Sequence, residues 1–60
     1  MKIYLIKYLT ESRGECYDTQ TAANILTAID KHYECHPNSF AGRIKRHSDG
    51  SWLPFDSATD

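Results

Sequence analysis

Several features that usually reveal a protein's function are missing from this sequence. Its three glycines do not form a glycine-rich phosphate-binding loop. No apolar run approaches the ~20 residues of a membrane-spanning helix. The first apolar run is interrupted by Lys7 and lacks the small-residue cleavage site of a signal peptide. We therefore expect a cytoplasmic protein that does not associate with membranes, and its two cysteines should be reduced.

Charge of one sign is also scarce, because the net charge is −1 over 60 residues. This excludes a highly basic nucleic-acid-binding arm. The charges are nevertheless grouped: residues 1–10 carry +2, 11–34 carry −3, 35–47 carry +3 and 48–60 carry −3. A chain of this length buries only about 60% of its unfolded surface, so a dimer, a metal or a disulfide would help to stabilise it.

The segment from Thr19 to Tyr33 has the most regular pattern in the chain. Its apolar residues recur with the spacing of one helix face: Ala22, Ile25, Leu26, Ile29 and Tyr33. Asp18 or Thr19 is a suitable N-cap, and Pro37 ends the helix. The sequence therefore predicts an amphipathic helix over 19–33 that must pack on the rest of the chain.

Strands are predicted on both sides of this helix. Lys2 to Thr10 is rich in β-branched and aromatic residues and apolar on both faces, which is typical of a central strand or of a strand at a dimer interface. Glu11 to Gly14 is a turn, and Glu15 to Asp18 is a short returning strand. The sequence thus predicts a single small α+β domain over residues 1–55. Its order is β-β-α-β-β, with one helix packed on an antiparallel sheet, and residues 56–60 form a flexible C-terminal tail.

The last two strands are predicted as a hairpin over residues 40–55. Asp49-Gly50 is a strong signal for a two-residue turn, which would place Ile44 opposite Phe55. Because side chains alternate, Ile44 then faces the core with Phe55, while Arg43 and Lys45 face away. Pro54 cannot donate to a strand ladder, which indicates an edge strand.

The outward face of this hairpin is the main candidate site. Basic residues surround an aromatic one, and we predict partner contacts through Arg43, Lys45, Arg46, His47 and Trp52. Such a patch can bind an acidic protein surface, can bind phosphates and stack a base, or can simply be a solvated strand face. Tyr4 and Tyr8 are predicted to form a second surface or a dimer interface.

Zinc is a second hypothesis, since the chain contains suitable ligand types at Cys16, His32, Cys35 and His36. Their spacing matches no CxxC-type motif, so ordinary buried cysteines and a partly exposed histidine remain the simpler interpretation. A Cys16–Cys35 disulfide would add about 3 kcal/mol but does not suit a cytoplasmic protein. A cysteine nucleophile lacks an evident orienting residue. The sequence assigns no cofactor and no catalytic residue, and we expect no enzyme.

One resemblance supports a different fold. Thr19-x-x-Ala22-Ala23-x-x-Leu26, followed by Asp49-Gly50-Ser51-Trp52-Leu53-Pro54, resembles small winged-helix DNA-binding proteins of the excisionase type. The resemblance implies that residues 39–47 form a recognition helix and that a basic hairpin wing follows. Thr27-Ala28-Ile29 departs from the family, because it continues the helix where the family has a turn. Residues 40–47 are therefore open to assignment as strand or helix.

Taken together, these features favour a small non-catalytic binding module that docks on a larger protein as an adaptor, inhibitor or regulator. The chain has more β-forming apolar residues than one small core needs, which also favours a homodimer. The alternatives are DNA or RNA binding by hairpin 40–55 or by a winged helix, and a zinc-stabilised module. Salt dependence separates docking on a protein from binding to DNA or RNA, because phosphate contacts weaken steeply as salt rises.

Overall fold

Four antiparallel strands and one helix form the fold. The computed structural model describes residues 1–60. Its elements are β1 (Lys2–Thr10), β2 (Gly14–Ala22), α1 (Ile25–Cys35), β3 (Phe40–Lys45), β4 (Trp52–Pro54) and one turn of 3₁₀ helix (Phe55–Ser57). The strands lie in the order β2-β1-β3-β4. This confirms the predicted β-β-α-β-β order, with β1 in the interior of the sheet.

β2 is longer than predicted, and α1 begins later. β2 pairs with β1 along its whole length, from Ala22 opposite Lys2 to Gly14 opposite Thr10. Thr19 and Thr21 suit this extended pairing because their branched side chains favour strands over helices. The prediction of a helix from Thr19, capped by Asp18 or Thr19, was therefore wrong. Asn24 is the N-cap, and its side chain accepts a hydrogen bond from Thr27 N at 2.9 Å.

The later start changes which helix residues face the sheet. The buried residues of α1 recur at i, i+3, i+4 and i+7, namely Ile25, Ala28, Ile29 and His32. Leu26 and Tyr33, which we predicted on the apolar face, are exposed instead. The helix ends at Cys35, and Pro37 follows two residues later, as predicted.

The core lies between α1 and one face of the sheet. β1 contributes Tyr4, Ile6 and Tyr8, which are buried together with Ala22, Ile25, Ala28, Ile29, Ile44 and Ala58. The prediction that Tyr4 and Tyr8 form a second surface or a dimer interface was therefore wrong. Both side chains face the helix, because residues 4, 6 and 8 share one face of a strand.

β3 and β4 pair in a different register from the predicted hairpin. Ile44 lies opposite Leu53 rather than Phe55, and Arg46 to Ser51 form a six-residue connection. Asp49 fixes this longer loop by accepting hydrogen bonds from Ser51 N at 3.0 Å and from the Arg46 guanidinium at 3.1 Å. The displacement is an even number of residues, so the side chains that remain paired keep their predicted faces, with Arg43, Lys45 and Trp52 on one and Ile44 on the other. Residues 40–45 form a strand, so the recognition helix implied by the excisionase resemblance is absent.

The last five residues pack on the core instead of lying apart from it. Asp60 accepts hydrogen bonds from the Tyr4 hydroxyl at 3.0 Å and from Ile25 N at 3.1 Å. Ala58 is buried, and the Arg46 guanidinium donates to the Thr59 carbonyl at 3.0 Å. The structure therefore joins residues 56–60 to the domain, in contrast to the predicted flexible tail. The single helix is too short to cross a membrane.

Candidate functional site

The face of the sheet opposite α1 is not covered by any element of the chain. We call it the open face. Its side chains come from all four strands: Ile3, Leu5, Lys7 and Leu9 from β1; Glu15, Tyr17, Thr19 and Thr21 from β2; Phe40, Arg43 and Lys45 from β3; and Trp52 and Pro54 from β4. Ile3 keeps 65% and Phe40 47% of its surface exposed. The first strand is apolar on both faces because one face builds the core and the other remains accessible.

Cations lie among these apolar side chains. Lys7 pairs with Arg43 across β1 and β3, and Lys45 pairs with Trp52 across β3 and β4. The Lys7 ammonium lies 4.8 Å from the centre of the Trp52 ring, which is a cation–π contact. Glu15 is the one carboxylate among the open-face side chains, and it lies on the outer strand β2. The centre of the open face is therefore both apolar and positively charged.

The structure brings together three of the five predicted partner-binding residues. Arg43, Lys45 and Trp52 share the open face, as their spacing predicted. Arg46 and His47 lie in the following loop and have partners within the chain. The Arg46 side chain donates hydrogen bonds to the Thr59 carbonyl and to the Asp49 carboxylate. The predicted patch therefore loses Arg46 and His47, but it extends across Lys7 to the aliphatic residues of β1.

His47 forms one wall of a depression at the edge of the open face. Its Nε2 lies 2.6 Å from the Ile3 carbonyl oxygen, which it contacts as a donor, and its ring packs edge-on against Tyr4. The depression is about 260 Å³ in volume and is lined by Ile3, Leu5, Lys45, Arg46, His47 and Gly50. Its lining combines two aliphatic side chains with three basic ones, and a single partner side chain could occupy it.

A second group of polar side chains lies on the opposite face, where α1 ends. Asp18 Oδ2 is 2.8 Å from His32 Nδ1 and 3.7 Å from His36 Nε2. β2 supplies Asp18, and α1 supplies His32 as its last buried residue, while His36 caps the helix. Burial opposes ionisation of Asp18, but hydrogen bonds from Gln20 and His32 outweigh it and hold the pKa of this carboxyl below its usual range. The carboxylate therefore remains charged near neutral pH.

The predicted zinc ligands are brought together only in part. His32 and His36 are neighbours, with ring centres 5.1 Å apart. Cys16 and Cys35 both line the adjoining groove, but neither belongs to the group whose ligand atoms converge, and both are free thiols. Asp18 was missed as a member of this group. The signal was its position two residues after Cys16 within the predicted strand, since alternate residues of a strand share one face.

His32 also links Asp18 to a hydroxyl group. Its Nε2 lies 2.9 Å from Ser39 Oγ, so carboxylate, imidazole and hydroxyl form one chain of hydrogen bonds. This connectivity resembles that of a serine-hydrolase triad, but such catalysis also requires oxyanion donors beside the hydroxyl. His32 is fully buried, and the chain of contacts satisfies both of its ring nitrogens. These two hydrogen bonds explain how the core accommodates a histidine.

Comparison of the chain with protein-family models, with curated proteins and with solved structures found no match.

Proposed function

We propose that the protein is a non-catalytic binding module whose open face docks on a larger protein. The observation that carries the proposal is that α1 covers only one side of the sheet. The other side keeps aliphatic, aromatic and cationic side chains accessible. Contiguous apolar surface of this kind on a small protein is typical of an interaction site. A partner would bury residues such as Ile3 and Phe40 that the chain itself leaves exposed.

The charge of the open face defines the complementary surface. Lys7, Arg43 and Lys45 lie near its centre, so the partner should be acidic around an apolar contact region. Trp52 and Arg43 are the residue types that most often contribute large binding energies in protein interfaces. We therefore expect Trp52 to be the anchor and the three cations to steer association.

A protein partner fits the open face better than a nucleic acid does. Single-stranded nucleic acids stack their bases on free aromatic faces. Lys7 lies over the Trp52 ring, so it occupies a face on which a base would stack. Ile3, Leu5 and Leu9 offer aliphatic surface that bases do not require, whereas protein interfaces bury it readily.

The test uses two double charge reversals of equal size. Arg43→Glu/Lys45→Glu changes the open face, and Lys2→Glu/Arg13→Glu changes exposed cations elsewhere. A protein captured by the wild-type chain is purified, and its affinity for each variant is measured. We expect Arg43→Glu/Lys45→Glu to weaken binding at least tenfold, while Lys2→Glu/Arg13→Glu stays close to wild type. Circular dichroism first establishes that both variants are folded.

Equal weakening by both double variants would refute docking through the open face. A parallel titration follows Trp52 fluorescence with single-stranded and duplex oligonucleotides at low and moderate salt. A saturable change that weakens steeply with salt would instead assign the open face to nucleic acid. A flat titration is the result we expect.

The proposal includes a cytoplasmic location, which the two free cysteines favour. It also retains a homodimer as an arrangement to be tested. β2 has a partner only at β1, so its outer edge offers nine residues to a second copy or to a strand of the partner. Molecular mass in solution distinguishes the monomer from the dimer.

A further inference from the structure

Asp18, His32 and His36 present their ligand atoms to one another where α1 ends against β2. These atoms all lie within 4.8 Å of each other. The two separations to Asp18 Oδ2 are 2.8 Å and 3.7 Å. Ligand atoms bound at about 2.0–2.1 Å to a tetrahedral zinc ion are about 3.3 Å apart. The two separations to Asp18 lie on either side of that value, and the separation between the two histidine nitrogens is at most 4.8 Å, so side-chain rotations would place all three atoms around one ion.

Each of the three side chains also has an outer hydrogen-bond partner. His32 Nε2 lies 2.9 Å from Ser39 Oγ, and when its proton is on Nε2 and donated there, Nδ1 has a lone pair for the ion in place of its hydrogen bond to Asp18. His36 Nδ1 lies 3.5 Å from the Tyr8 hydroxyl, which leaves its Nε2. The Gln20 side-chain amide donates to Asp18 Oδ2 at 2.9 Å. Metal-binding histidines and carboxylates characteristically have such partners, because they fix the tautomer and orientation of the ligands.

An ion could enter from one side of this group. The His36 side chain is 37% exposed, whereas His32 is fully buried. A groove of about 750 Å³ reaches the group and is lined there by Tyr8, Cys16, His36 and Ser39. Three protein ligands with a fourth position toward solvent form the arrangement of zinc sites that exchange their fourth ligand.

We propose that Asp18, His32 and His36 bind one divalent zinc-type ion through a carboxylate oxygen and two imidazole nitrogens. The ion would tie β2 to the end of α1 in a chain with a small core. This differs from the sequence prediction of no cofactor, because Asp18 completes a group in which the cysteines are not needed. The proposal is independent of docking, since the ligands lie on the helix-covered face.

The first test is zinc titration of the full chain, with a chromophoric chelator as competitor and a reductant that does not bind metal. We expect one equivalent to bind. His36→Gln and Asp18→Asn should each weaken binding at least about 100-fold, because each removes a ligand. His47→Gln is the matched control, since it makes the same change at the one histidine outside the group. It should leave the affinity unchanged.

Thermal unfolding provides a second readout that separates folded-state binding from binding to the unfolded chain. Zinc should raise the midpoint temperature of unfolding of the wild-type and His47→Gln chains, but not that of His36→Gln. The proposal is overturned if the wild-type chain shows no saturable binding. It is also overturned if His36→Gln binds as tightly as His47→Gln, or if Cys16→Ser or Cys35→Ser removes binding while His36→Gln retains it.

Discussion

At the scale of single residues, Ala41 has the least favourable backbone conformation. Its φ of 51° is the only positive value among the non-glycine residues. The strain coincides with an irregularity in the pairing of β1 and β3, where the register shifts between Lys7 and Leu9. The bulge brings Phe40 to lie opposite Leu9, so it helps to shape the open face.

Replacing Ala41 with glycine should stabilise the fold by about 0.5–1 kcal/mol. Glycine removes the cost of the left-handed conformation, which is about 1–2 kcal/mol, but adds flexibility to the unfolded chain. Urea denaturation measures the change. Ala23→Gly is the matched control, because Ala23 is exposed and has no positive φ. Ala23→Gly should lower the free energy of unfolding. Stabilisation by both variants would contradict the role given to Ala41.

At the scale of elements, the boundary between β2 and α1 is where the sequence was most misleading. Ala22 and Ile25 belong to a helical spacing with Ile29, yet Ala22 ends a strand and Ile25 begins the helix. Both are buried, so periodicity could not distinguish the two assignments. Pairing with β1 decides between them, and that pairing depends on residues distant in sequence.

The N-cap provides a test of this boundary. Asn24→Ala should lower the free energy of unfolding by about 1 kcal/mol, because it removes the acceptor for Thr27 N. Thr19→Ala should change it by less than about 0.5 kcal/mol, because Thr19 is an exposed strand residue rather than a cap. Asn24→Ser should restore most of the loss. A larger effect at Thr19 than at Asn24 would favour the earlier helix start.

At the scale of the whole molecule, Asp60 joins three distant parts of the chain. Its carboxylate contacts Tyr4 of β1 and the first residue of α1. The hydrogen bond from Ile25 N lowers the pKa of Asp60, burial opposes this, and the Tyr4 hydroxyl adds to the lowering. The ionised form is thus bound more favourably in the folded state than in the unfolded state.

Asp60 should therefore contribute to stability at neutral pH. A lowered folded-state pKa means that this contribution is complete above the ordinary value of 3.8 and is lost as the pH falls through the folded value. Asp60→Asn should be less stable than wild type at neutral pH, and the difference should shrink in acid. Denaturation at neutral and at acidic pH measures the difference in the free energy of unfolding between the two chains. Asp56→Asn makes the same charge change at an exposed position and should show little effect.

Local patterns in the sequence were enough to predict the fold class and one side of the open face. Strand alternation alone placed Arg43, Lys45 and Trp52 on one face. Lys7 and Asp18 could not be assigned to their sites in this way. Lys7 reaches Trp52 only because β1 pairs with β3, and Asp18 reaches His36 only because α1 ends against β2. Both depend on contacts between residues distant in sequence, which local patterns do not specify.

The interior position of β1 also sets an order of assembly. β1 meets β2 across a short turn, but it meets β3 only after the whole of β2 and α1 has intervened. Closing that longer loop costs more conformational entropy, so the pairing of β1 with β3 should form late in folding. Lys7 joins Arg43 only at that step. A newly synthesised chain therefore completes its open face at the step that completes its core, so incompletely folded chains would compete poorly for the partner that we propose.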